Sequence, residues 1–393
     1  MRWGELFNVS ALNKLHPAVE LDEFLQRRGG AAQIDVLTAI DHKGCEPGGA
    51  AEASFNGLAH VRVGRSQCDS SLQHNVAALG RMTEAAIAFS NSFDQLPFAA
   101  ALGLRPYVRF EQGVYDRAAA FVAQQFGGKP FLAIHWRRTD FLVARSTQPG
   151  VLQSAASVIR HARRAIERHG LAGVYLATDS DDQAELEAVG RALSPMRYGP
   201  AVVPTTAALR ARADAANVEI AICAMAARFL GTKTSSFTLA ISEERRGVFG
   251  HAADTNQEMD DLPAEEMKQA PPPARGAASA PPPAGTPPER IAALGRYLLF
   301  DVAFHEQLNK QRRALMFYLH LAMRLKRTLV LPRPRLLQRK QGARGSQFEA
   351  EAEYMRWGEL FNVSALNKLH PAVELDEFLQ RRGGAAQIDV LTA

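Results

Sequence analysis

Residues 131–141 read FLAIHWRRTDF. Phe131–Trp136 is a short apolar run that ends abruptly in polar residues, the pattern of a buried strand emptying into a turn. Working outward, Val174–Thr178 (VYLAT), Ala201–Val203 and Phe229–Gly231 repeat it. Helical spacings separate these runs near 151–169, 181–193 and 215–227, and a further helical stretch with turn signals covers 71–126. Towards the C-terminus Arg296–Val302 (RYLLFDV) reads as another strand. Gln307–Lys326 then places Leu308, Leu315, Tyr318, Leu319, Ala322 and Leu325 on one helical face, and Thr328–Leu331 (TLVL) is a strand stopped by Pro332 and Pro334. Short buried strands alternating with helices predict an α/β protein with parallel sheets.

Composition bounds what such a fold can do. The chain has 393 residues, 47% hydrophobic and 22% charged, so it can bury sizeable cores and is not a disordered protein. A net charge of +5 is too small and too scattered to argue for nucleic acid. No apolar window is long enough to cross a bilayer, and MRWGELFNVSALNKLH carries no visible signal peptide. Cys45, Cys68 and Cys223 suit neither a disulfide framework nor a zinc site; one bridge is possible and one thiol stays free.

Residues 1–39 recur unchanged at 355–393. The interval is far longer than a solenoid period and suggests a tandem duplication read from the middle of one unit to the middle of the next. The natural order is then 291–354, the repeated segment, and 40–250, a circular permutation of one unit. Residues 251–290, with PPPARGAASAPPPAGTPP, read as a Pro/Ala-rich disordered linker at the join. A unit of about 315 residues exceeds a single core, which predicts two α/β domains facing across a cleft. Of the two copies, 1–39 is expected to dock and 355–393 to be displaced or exchanged into a neighbour. A break before Met355 falls at a polar turn, whereas one after Ala39 cuts the apolar strand Gln33–Ile40.

The usual cofactor and hydrolase fingerprints (GxGxxG, GxxxxGK[ST], GxSxG) are absent. Polar residues stand instead at the C-terminal ends of strands, where open α/β sheets bind ligands. Arg137 follows the 131–136 strand with His135 and Trp136, and a guanidinium there can clamp a phosphate without a metal or simply bridge to Asp140. In LATDSDD, Asp179 and Asp181 form a D-x-D that either ligates a cation or, for Asp181 and Asp182, caps the next helix. Asp179, at the strand end, is better placed to accept from a purine edge. After Gly231, the hydroxyls of Thr232, Thr234, Ser235 and Ser236 precede a helix at Phe237–Glu244, a pattern that offers an anion site. In DVAFHEQLN, Glu306 opens a helix, where a lone Glu is ordinarily a dipole partner.

Taken together, RYLLFDV..HEQLN, IHWRRTDF, ATD and GTKTSSF, with WGELFNVSALNK in the repeated segment, resemble the protein O-fucosyltransferases, in particular the branch that modifies thrombospondin type 1 repeats. The resemblance covers nearly the whole unit, with the family's first motif moved to the C-terminus. It implies a GT-B-like fold of two Rossmann-like domains: 1–110 with 291–354 as one, 111–250 as the GDP-fucose-binding other, 355–393 being the second copy of 1–39. It implies GDP-β-L-fucose as donor substrate with no cofactor and no metal. The implied chemistry is inverting transfer to Ser or Thr of a small disulfide-bonded module, in the endoplasmic reticulum lumen. Glu306 aligns with the catalytic carboxylate, and His305, Gln307, Leu308 and Asn309 line the donor pocket with it. His135, Trp136 and Arg137 align at the donor, Arg137 facing the pyrophosphate; Asp179 aligns with the guanine contact, and Ser235, Ser236 and Phe237 with the phosphate and base wall. Ile220 after Glu219 departs from the family's Asp-Gln pair, and the C-terminal cysteines are missing. Other readings stay open: a related fucosyltransferase acting on glycan, or an inactive fragment that binds only nucleotide.

Overall fold

A computed structural model describes residues 18–20, 32–39, 61–63, 66–67, 76–92, 96–148, 150–199, 206–260, 291, 294–302, 308–332, 335–336, 353–354, 357, 360–374 and 386–392. The α/β class holds. The chain divides into two compact units, Met1–Gln112 with Thr205–Arg210 and Ala280–Ala393, and Gly113–Pro204 with Ala211–Ser279.

The second unit is built on a parallel sheet in the order Val174–Thr178, Leu132–Trp136, Arg228–Thr232, Asn256–Met259. Every residue of the central 132–136 strand is buried, as its mostly apolar sequence predicts, His135 included. The helix Ala155–His169 returns the chain to the 174–178 strand. Ser154 caps its start by accepting from Ser157 N at 3.2 Å, and Gly170, at φ 61°, ends it. Val158 and Ala162 of that helix, with Val189 of Gln183–Leu193, pack on Leu132, Ile134, Leu176, Leu230 and Met259. Arg245, on the helix Ser236–Gly247, is buried and caps the end of the helix Thr206–Met225. Its guanidinium donates to the carbonyls of Cys223 (2.9 Å) and Ala226 (2.6 Å), and burial pulls it down to about 10.

One part of the expected linker is folded. Asn256–Met259 pairs with the 228–232 strand, Met259 is fully buried, and the carbonyl of Asp260 contacts His161 Nε2 at 2.8 Å. Residues 251–260 therefore belong to this unit. NQEM carries no apolar alternation because an edge strand can be held through its backbone alone. The expected strand Ala201–Val203 and residues 261–290 lie outside the described residues.

The first unit's sheet is also parallel. Tyr297–Val302 lies between Thr328–Leu331 and Ala86–Ser92, and the helix Leu308–Leu325 connects the first two. Ala86–Ser92 corrects the reading of 71–126 as a helical stretch with turn signals. The run AIAF is too short for periodicity to separate a strand from a buried helix, and Ala86, Ile87, Ala88 and Phe89 are all buried.

The two identical segments meet the sheet in the same register. Leu329, Val330 and Leu331 pair with Ala18, Val19 and Glu20, and equally with Ala372, Val373 and Glu374. Ile87 and Ala88 pair with Val36 and Leu37, and equally with Val390 and Leu391. The far edge of a strand accepts one ladder of hydrogen bonds, so the copies are alternative occupants of one seat.

The expectation that 355–393 is displaced does not hold for 357–374, whose described side chains are packed in this unit, while 18–20 and 32–39 also pair in the sheet. Trp357, Leu360, Phe361, Val363, Leu366 and Leu369 are buried. Phe361 stacks on Phe110 at 5.5 Å, with the Arg312 guanidinium over both rings, and Asn362 N donates to Arg109 O at 2.7 Å. Chain continuity gives the C-terminal copy a fixed point of entry. Glu353–Tyr354 pairs with Arg335–Leu336, so the residue before Met355 is fixed a few positions beyond the 328–331 strand rather than in a free turn.

Candidate functional site

Three adjacent strands of the second unit end together, with His135, Ala177 and Gly231 in register across them. The turn after Trp136 is fixed by two consecutive backbone N–H groups. Arg137 N donates to Thr232 Oγ1 at 2.9 Å, on one neighbouring strand; Arg138 N donates to Asp179 Oδ1 at 2.7 Å, just past the other. The Thr232 hydroxyl donates in turn to His135 O at 3.0 Å, and the Thr178 hydroxyl to Trp136 O at 2.6 Å.

Both arginines after the strand are tied, in different directions. Arg138 Nε donates to Glu185 Oε2 at 2.9 Å, Nη2 pairs with the other oxygen, and the guanidinium lies over the Trp136 ring. Arg137 Nε donates to Asp140 Oδ1 at 2.8 Å, and Nη1 is 3.2 Å from Asp179 Oδ2. Burial opposes the Arg137 charge, but the Asp140 and Asp179 carboxylates outweigh it and raise its pKa. A guanidinium has five N–H donors. Nε is used in a hydrogen bond and Nη1 in an ion pair, and among the described residues Nη2 is left for a ligand.

The hydroxyl run opens the helix Ser236–Gly247. Ser235 is its N-cap, accepting from Phe237 N at 3.3 Å, and Thr234 turns the chain at φ 60°. The Phe237 ring lies 4.8 Å from the His135 ring, whose Nδ1 is 2.7 Å from Thr238 Oγ1. Burial, with Arg137 nearby, pulls His135 down to about 3, so the imidazole is neutral at physiological pH. Sequence reasoning missed Thr238, although Gly231 points to it. A Cβ on Gly231 would stand 2.3 Å from Thr238 Cγ2, so the glycine is what lets Thr238 reach His135.

Of the acids, Asp182 caps the helix Gln183–Leu193, accepting from Glu185 N at 3.1 Å, and Asp181 is exposed. Asp179 uses both oxygens on the turn, since Oδ2 also accepts from the Thr139 hydroxyl. Among the described residues no group of three or more His, Cys, Asp or Glu is placed to hold a metal ion, and no helix is long and apolar enough to cross a membrane. Leu308 and Asn309 begin the helix of the first unit, both half-buried, while His305, Glu306 and Gln307 lie outside the described residues.

Beneath the strand ends, Tyr175 donates to Glu219 Oε1 at 3.2 Å, and burial pushes the Glu219 carboxyl from near 4.5 up to about 7. An acid raised in the folded state is ionised first in the unfolded chain, so stability is present below its unfolded pKa and is lost as pH rises through its folded one. Glu219→Gln keeps the acceptor for Tyr175 and removes this titration. Melting curves should show the variant gaining on the parent between pH ~4.5 and ~7, by an amount on the order of 1–3 kcal/mol. A constant difference across that window would exclude the effect.

The model of the family GDP-fucose protein O-fucosyltransferase matches residues 1–248. The chain belongs to that family. The matched stretch includes His135, Arg137, Asp179 and Ser235–Phe237 and ends before His305–Asn309. GDP-fucose protein O-fucosyltransferase 2 of Caenorhabditis elegans is 35% identical over 121 residues, 30% of this chain and 26% of that protein; the Homo sapiens protein of the same name is 34% identical over the same shares. The match thus spans a little over a quarter of the length of these relatives. Among solved structures, POFUT1 in complex with GDP is 16% identical, covering 41% of this chain and 51% of that one at a TM-score of 0.32.

Proposed function

We propose that this member of the O-fucosyltransferase family transfers L-fucose from GDP-β-L-fucose to a Ser or Thr hydroxyl of a small disulfide-bonded module, with inversion and without a metal, in the endoplasmic reticulum lumen. The observation that carries the reading is Arg137, a cation oriented by two carboxylates with its Nη2 edge open, beside the hydroxyl-rich start of the 236–247 helix.

Inversion requires a base on the acceptor side and charge stabilisation on the leaving-group side. Glu306 takes the proton of the acceptor hydroxyl as its oxygen bonds to the anomeric carbon. The bond from that carbon to the β-phosphate oxygen breaks, and GDP leaves with the electron pair. Arg137 receives the growing diphosphate charge, the service a divalent cation performs in metal-dependent enzymes. Neutral His135 with Phe237 supplies a flat wall beside it.

Calorimetry of GDP and GDP-fucose binding, with and without EDTA, tests this. Equal affinity in both conditions is expected. Loss of binding in EDTA would return Asp179 and Asp181 to the role of cation ligands.

A further inference from the structure

The turn at 137–140 hangs between two strands. Thr232 holds its first backbone N–H from one side and Asp179 its second from the other. Asp179 also accepts from the Thr139 hydroxyl and pairs with Arg137 Nη1 at 3.2 Å. A carboxylate offers about four lone-pair positions; one on each oxygen accepts from this one turn, and Arg137 Nη1 is paired with the same carboxylate. Reading a guanine edge takes two adjacent oxygens, one for N1–H and one for the 2-amino group, and both Asp179 oxygens already accept. Asp140 fixes the Nε side of the same guanidinium. Arg137 is therefore held at its backbone and along two edges of its side chain, and the edge left over is Nη2.

We infer that Asp179 is a positioning residue: it latches the 137–140 turn so that Arg137 presents Nη2 to a diphosphate, and it does not read the nucleobase. The inference rests on the proposed function, in which a nucleoside diphosphate is the ligand at Arg137. Base selectivity then falls to other residues, and the contribution of Asp179 is the same for every nucleoside diphosphate.

The dissociation constants of GDP and inosine diphosphate, measured on the full chain, decide between the roles, because inosine diphosphate lacks the 2-amino donor. Asp179→Ala should weaken both ligands by the same factor, roughly tenfold or more, the scale of a hydrogen bond to a charged group. Asp179→Asn, which keeps a carbonyl oxygen for Arg138 N–H but no charge for Arg137, should fall between parent and Asp179→Ala. In an Arg137→Gln background, Asp179→Ala should add little further loss, because the latch acts through Arg137. Weakening of GDP with inosine diphosphate untouched overturns the latch in favour of base contact. Unchanged affinities in Asp179→Ala overturn it too, as does a full additional loss in the Arg137→Gln background, the mark of a purely structural role. A parent chain that binds neither diphosphate overturns the proposed function together with the latch.

Discussion

Glu306→Gln is expected to lower transfer by ~10²–10⁴-fold, the usual contribution of a general base, while GDP affinity stays within a few-fold. The amide preserves size and an acceptor oxygen but cannot take the hydroxyl proton, so its effect falls on the transition state and not on donor binding. Arg137→Ala should lose both, because the Nη2 edge would hold the diphosphate in the ground state and take up leaving-group charge later. Comparing the two variants, with turnover by product analysis and affinity by calorimetry, separates the roles. Near-full transfer by Glu306→Gln would remove Glu306 as the base. Loss of GDP binding in Glu306→Gln as well would place the side chain at the donor, on the same side as Arg137.

Much of this arrangement is legible in the sequence, and the parts that are not share a cause. Val174–Thr178 and Thr328–Leu331 are read to the residue, because unbroken apolar runs bounded by turn signals are how buried parallel strands are written. Ala86–Ser92 and Asn256–Met259 are not. The first is too short for its period to be decided, and the second contributes one buried side chain to the core. In the site, Arg137 stands out as a cation at a strand end, and Asp182 as an ordinary cap. The role of Asp179 is invisible, since it depends on one backbone N–H and one hydroxyl some forty positions away. Thr238 is hidden for the same reason, its partner His135 being 103 residues distant. Local pattern shows which elements carry polar tips. Which tip holds which is a property of the assembled sheet.

The repeated segment offers the other large effect. Each place in the sheet is best served by the copy continuous with its neighbour: 357–374 follows the 328–331 strand through the Arg335–Tyr354 pairing, and 32–39 leads into Val61–Val63. The break then falls between Glu374 and Ala32, in LDEFLQRRGGA, where no apolar strand is cut. Limited proteolysis should therefore remove 1–31 and 375–393 before it reaches 357–374, and a chain of 32–374 should melt near the full-length temperature. A chain ending at Tyr354 should be clearly less stable, because the first copy must then fill the seat without the Tyr354 tether. Removing 1–31 and 355–393 together leaves the seat empty. Trp357, Leu360, Phe361, Val363, Leu366, Leu369, Ala372 and Val373 are all buried. At about 1.5–3 kcal/mol for each large apolar side chain, losing them removes ~10 kcal/mol or more, as much as a domain's whole stability. That chain should fail to fold its first unit. If instead the chain ending at Tyr354 melts near the full-length temperature and 32–374 is clearly less stable, the N-terminal copy holds the seat and 357–374 is the surplus.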